Sequence, residues 1–99
     1  FKEKVVKAHG DKYKEPIKVN TLPLEKIFKQ NKISNIDFLS IDCEGLDIQV
    51  LNSNNWSLYR PKLVCVEQSM PEKELMEQMD SISYKLYAKT IGNSFFVEK

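Results

Sequence analysis

Glycine is scarce in this chain: three in 99 residues, at Gly10, Gly45 and Gly92. No G-x-G-x-x-G or G-x-x-x-x-G-K-[ST] loop can be built from them, so nothing here cradles a phosphate or dinucleotide. Nor is there a G-x-S-x-G turn to raise a serine nucleophile. A nucleotide-like cofactor therefore has to be held by residues outside this chain. Histidine occurs once, as His9 in a lysine-rich stretch, where it is expected to be solvated, and this leaves imidazole mechanisms unsupported. The two cysteines, Cys43 and Cys65, form no C-x-x-C and have no histidine beside them. They read as small, reduced, strand-borne hydrophobes rather than a redox or metal pair, which suits a cytoplasmic protein.

Charge of one sign is also missing. Fifteen Lys and Arg face 14 Asp and Glu, a net charge of +1. Such a balance supplies no field to gather nucleic acid or anionic lipid. No apolar run approaches the length that spans a bilayer. With 41% apolar and 29% charged residues the chain is too hydrophobic for disorder. A single small domain is expected. The first residue is Phe1 rather than methionine, which reads as a piece of a longer protein.

Two parts are expected: residues 1–16, a lysine-rich segment forming an edge strand or loop with a turn at Gly10-Asp11, and residues 17–99, the folded domain. Ile17 and Val19 alternate with polar neighbours, the period of a half-buried strand. A helix follows, with Thr21 as its cap, Pro23 in its first turn and Leu24, Ile27 and Phe28 at helical spacing, ending over 31–35. Phe38, Leu39 and Ile41 form a nearly continuous apolar run, which predicts a central parallel strand covered by helices on both faces. Leu46, Val50 and Leu51 make a short crossover helix, with Trp56 and Leu58 expected to pack where it returns and Arg60-Pro61 marking the next boundary.

Leu63 to Val66 is a second buried strand closing on Glu67. Ser69 and Glu72 have capping-box spacing, with Leu75, Met76, Met79 and Ile82 on one helix face. Two β-prone runs around Ile91-Gly92-Asn93 close the chain as a hairpin. The order predicts an α/β sheet with parallel central strands, flanking helices and a C-terminal antiparallel hairpin.

In open α/β sheets, ligands collect at the carboxyl ends of the parallel strands. Asp42, Glu44 and Glu67 fall there, and Gly45 permits close backbone approach. Neighbouring strands would bring Asp42 and Glu67 to one rim, where carboxylates can orient a hydroxyl, act as general base or hold a hard cation. A second reading stands beside this one. Acidic residues at a helix start favour the macrodipole, so Asp42, Glu44 and Asp47 can serve only as caps.

The run Ile36-Asp37-Phe38-Leu39-Ser40-Ile41-Asp42-Cys43-Glu44-Gly45-Leu46-Asp47-Ile48-Gln49-Val50-Leu51 resembles the I-D-x-L-K-I-D-V-E-G-x-E-x-x-V-L signature of FkbM-type methyltransferases. Val19 to Leu22, Arg60-Pro61 with Val64 to Glu67, and Asn93 to Val97 are similar to flanking motifs of that family in the same order, so the resemblance covers roughly residues 17–99. It implies the C-terminal half of a class I, Rossmann-like methyltransferase domain dependent on S-adenosylmethionine, with the glycine loop that binds the cofactor lying elsewhere. O-methylation of a hydroxyl on a small molecule or glycan is the implied reaction, with Asp42, Glu44 and Glu67 as its catalytic candidates.

Related O-methyltransferases carry metal-binding carboxylates at these strand ends, so the resemblance allows Mg²⁺ at Asp42 and Glu67, although no residue is assigned as a metal or cofactor ligand. Ser40 replaces the signature lysine, Cys43 its valine, and Pro23 the aspartate after Thr-Leu. Two rival classes are a metal-dependent phosphoryl hydrolase using the same three acids and a non-catalytic interaction module. The latter would self-associate through an exposed sheet edge.

Overall fold

The computed structural model describes residues 16–99, together with the backbone of a strand over 2–6. His9 and the expected turn at Gly10-Asp11 lie outside the described residues. Strands β1 (Lys2–Val6) and β2 (Ile17–Thr21) pair antiparallel as a two-stranded sheet of their own. The rest of the chain runs α1 (Leu24–Gln30), β3 (Phe38–Ile41), α2 (Asp47–Asn52), β4 (Leu63–Glu67), α3 (Glu72–Ser81), β5 (Tyr84–Lys89) and β6 (Asn93–Glu98). These four strands form a mixed sheet in the order β3-β4-β6-β5. β3 and β4 are parallel across the α2 crossover, while β6 inserts antiparallel between β4 and β5. The expected mixed α/β layout with a closing hairpin is therefore present.

One face of this sheet carries the core. Ile41, Val64, Val66, Phe96 and Tyr84 pack with Leu51 of α2 and with Leu75 and Met79 of α3. Period-two alternation along β4 puts Val64 and Val66 on this face and Cys65 on the other. All three are buried, as expected of the inner parallel strand. Tyr84 is anchored at both ends: its hydroxyl donates to the Pro61 carbonyl at 2.6 Å and its ring meets Trp56 edge-on at 5.3 Å. Arg60 stacks over that ring at 4.8 Å, donates to the Trp56 and Ile82 carbonyls and pairs with Glu98 at 2.7 Å. The residue before Pro61 thus staples the start of β4 to both strands of the closing hairpin.

Several local expectations are corrected. β3 is an edge strand, not a central one: Phe38 is 52% exposed and Ser40 is open, because helices α2 and α3 cover only the face bearing Ile41. β2 stands apart from the main sheet and exposes Ile17 and Val19, which therefore are not half-buried. Thr21 does not cap α1. Its N-cap is Pro23, and the free N–H groups of Leu24 and Glu25 donate to Ser53, to its Oγ at 3.0 Å and its carbonyl at 3.1 Å. The end of one helix thus caps the start of another, a solution no local motif displays. Leu58 is exposed, whereas Trp56 packs on the core as expected. The capping box at Ser69 is absent: α3 has Pro71 at its N-cap, and the Ser69 hydroxyl is committed elsewhere.

Candidate functional site

The carboxyl ends of β3 and β4 lie side by side, since Ile41 is the register partner of Val66. Asp42 leaves β3 one residue later and Glu67 closes β4, so adjacent parallel strands deliver both acids to one rim. The two carboxyl groups are within hydrogen-bonding reach of each other. A hydrogen bond there forms only when Glu67 carries a proton, because two ionised carboxylates can only repel. Glu67 carries the consequence. The hydrogen bond with Asp42 raises its pKa first, then partial burial, then the charges of Asp42, Glu44 and Asp47, and together they bring it up to about 7. Its Oε2 is buried and accepts no hydrogen bond among the described residues. An acceptor left in this state costs stability unless a donor, from water or a ligand, completes it.

Backbone geometry aims the rest of the rim. The Leu46 N–H donates to the Cys43 carbonyl at 3.1 Å, closing a turn whose two central residues both have positive φ, Glu44 at 44° and Gly45 at 97°. Gly45 is needed for that dihedral rather than for close approach, since a Cβ there would meet nothing within 4 Å. Glu44 pays the steric strain of a left-handed conformation and stays exposed, its charge adding to the field on Glu67.

Sequence reasoning treated Asp47 only as a helix cap, yet it is fully buried and is the most heavily committed acid of the group. Oδ1 accepts the Cys43 N–H at 2.9 Å and Oδ2 accepts the Ser69 hydroxyl. The available signal was the acidic position two residues after Gly45 in the signature run.

Cys65 lies beneath the rim on the far face of β4. Burial raises its thiol above the ordinary cysteine value, a hydrogen bond with Ser40 opposes this and the Asp42 charge adds to it. A thiol held protonated is a poor nucleophile, which agrees with the expected packing role. Cys43 and Cys65 form no disulfide. Among the described residues no group of three His, Cys, Asp or Glu side chains is arranged to hold a metal ion, so the geometry lends Mg²⁺ no support.

In mixed α/β sheets the carboxyl ends of the parallel strands are where ligands are commonly taken, and here those ends carry acids. The particular family is then shown by comparison. The family model of the methyltransferase FkbM domain matches residues 2–88, and the chain belongs to that family. The match takes in the β1–β2 hairpin, β3 and β4 and ends within β5, short of β6. No curated protein and no solved structure gives a significant match. Among the described residues no helix is long and apolar enough to cross a membrane.

Proposed function

We propose that this chain forms the acceptor side of an S-adenosylmethionine-dependent O-methyltransferase, acting on a hydroxyl of a small molecule or glycan, with the glycine-rich cofactor loop supplied by a segment outside it. The strand order β3-β4-β6-β5, with its antiparallel last strand, supports a Rossmann-like methyltransferase sheet. The observation that carries the reading is the carboxyl pair, Asp42 with Glu67, whose buried Oε2 meets no donor among the described residues. An acceptor hydroxyl is such a donor. When ionised, the rim carboxylates are hydrogen-bond acceptors, so they fit a hydroxyl donor.

S-adenosylmethionine supplies an electrophilic methyl group. The part played by this chain is to seat the hydroxyl against Glu67 Oε2, align its oxygen and, in the molecules whose Asp42–Glu67 pair holds no proton, receive the hydroxyl proton on Glu67. A carboxyl group near pKa 7 suits a general base at neutral pH, because it is half ionised yet basic enough to take a proton. Asp42, by hydrogen bond and charge, raises the basicity of Glu67, and Glu44 adds negative potential. The phosphoryl hydrolase alternative has no observation in its favour. Self-association through the edge of β3 has one, the exposure of Phe38 on a strand with a ladder partner on one side only among the described residues.

The test is methyl transfer by the protein that carries this chain, followed by mass spectrometry across hydroxyl acceptors. Asp42→Asn and Glu67→Gln should each lower kcat by about 10² to 10⁴ while leaving cofactor affinity unchanged. Unchanged turnover in both variants would remove the pair from the mechanism.

A further inference from the structure

Asp42 and Glu67 sit on different loops, one following β3 and one ending β4. Their contact depends on those loops keeping a fixed separation, and neither acid has the packing to ensure it: Asp42 is exposed and Glu67 half-buried. Asp47 does. It has no exposed surface, starts α2 at the back of the rim, and spends one carboxylate oxygen on each loop. Oδ1 holds the Cys43 amide, the residue next to Asp42, and Oδ2 holds the hydroxyl of Ser69, two residues past Glu67.

We propose that Asp47 and Ser69 form a positioning clamp that ties the β3–α2 loop to the β4–α3 loop and so holds the Asp42–Glu67 pair together. Three observations support it beyond the burial of Asp47. The turn over 43–46 is strained at Glu44, and a strained turn persists only when its surroundings over-determine it; the Cys43 amide bond is the tie that does so. Ser69 has capping-box spacing yet leaves α3 uncapped by any side chain, so its hydroxyl is diverted to the clamp. The Ser69 N–H also donates to the Glu67 carbonyl at 2.9 Å, closing a tight turn that couples the clamp to Glu67 itself.

The catalytic value of the clamp rests on the reading of Asp42 and Glu67 as the acceptor-side pair. The clamp itself does not. Its test is therefore made first without turnover, on the whole chain labelled for NMR. Two readouts are followed: hydrogen exchange at the Cys43 amide and the titration of the Glu67 side-chain carboxyl, which faces Asp42, Glu44 and Asp47.

Asp47→Asn keeps an acceptor for Cys43 and gives Ser69 an amide to meet. It should retain most of the Cys43 protection and keep Glu67 above the ordinary glutamate range, with a partial downward shift from the lost charge. Asp47→Ala should expose the Cys43 amide, with exchange at least tenfold faster, and return Glu67 towards ordinary behaviour. Ser69→Ala, the milder change, should lower Glu67 without unfolding the chain, and in Asp47→Ala it should add nothing further. If Ser69→Ala leaves Glu67 titrating as in the parent, the clamp is refuted, even should Asp47→Ala fail to fold. In the active protein the same variants should lower kcat and spare KM for the cofactor, with Asp47→Asn retaining most of the rate. A clamp confirmed by NMR in a protein that transfers no methyl group would sink the proposed reaction and leave the clamp standing.

Discussion

The four-stranded sheet and the β1–β2 hairpin are both β structure, yet they rest on different physics. Along β4 the residues Val64, Cys65 and Val66 are all buried, whereas β2 exposes every position except Thr21, which is half-buried. The sheet has a helix layer to bury its apolar face against. The hairpin holds its register by backbone pairing from Lys2 with Thr21 to Val6 with Ile17, and a two-stranded ribbon alone is marginal in water. The shape agrees. The radius of gyration is 14.9 Å, against roughly 13 Å for a compact domain of about 100 residues. An alternating strand pattern therefore reports the capacity to be half-buried, and a covering layer is needed to realise it.

The largest expected effect tests that contrast directly. Phe96→Ala removes a fully buried ring from the core facing α2 and α3 and should cost about 3 to 5 kcal/mol in denaturant unfolding, enough to unfold most of a small domain. Ile17→Ala in the hairpin should stay within about 0.5 kcal/mol. A hairpin substitution as costly as the core one would mean that β2 is covered in solution. Gly45→Ala comes next: φ of 97° without steric obstruction predicts a loss of about 1 to 2 kcal/mol from backbone strain alone, measurable as a shifted midpoint with unchanged slope.

The smallest effect is one of pH. Glu67 is raised in the folded state, so folding takes up protons between the ordinary glutamate value and about 7. Its contribution is complete below that window and is lost as pH rises through it. Thermal unfolding from about pH 5 to about pH 8 should show a decline that Glu67→Gln flattens; parallel curves would mean the carboxyl pair is not formed.

The placement of Asp42 and Glu67 at neighbouring strand ends was legible because its determinants are local. An apolar run, an acid at its end and a glycine two or three residues later specify strand, rim and turn, and short crossover connections make the strands neighbours. Asp47 was harder to see, since a buried clamp and an exposed helix cap look alike in one dimension. Ser69 was misleading for the same reason: its spacing from Glu72 satisfies a capping motif, while a carboxylate from another loop competes for the hydroxyl. The cap of α1 by Ser53 joins residues far apart in the chain, so no local window contains it.

Sequence alone determined which segments become strands and helices, that the chain ends in an antiparallel hairpin, and the family likeness that the comparison then established, because these follow from periodicity, turn residues and a long contiguous motif. Tertiary structure decided that β3 lies at an edge, that β2 leaves the sheet, and which acids are buried. Burial and proton sharing depend on what packs against a residue from elsewhere in the chain. A side chain's neighbours in space, rather than in sequence, determine whether it is a cap, a clamp or a base.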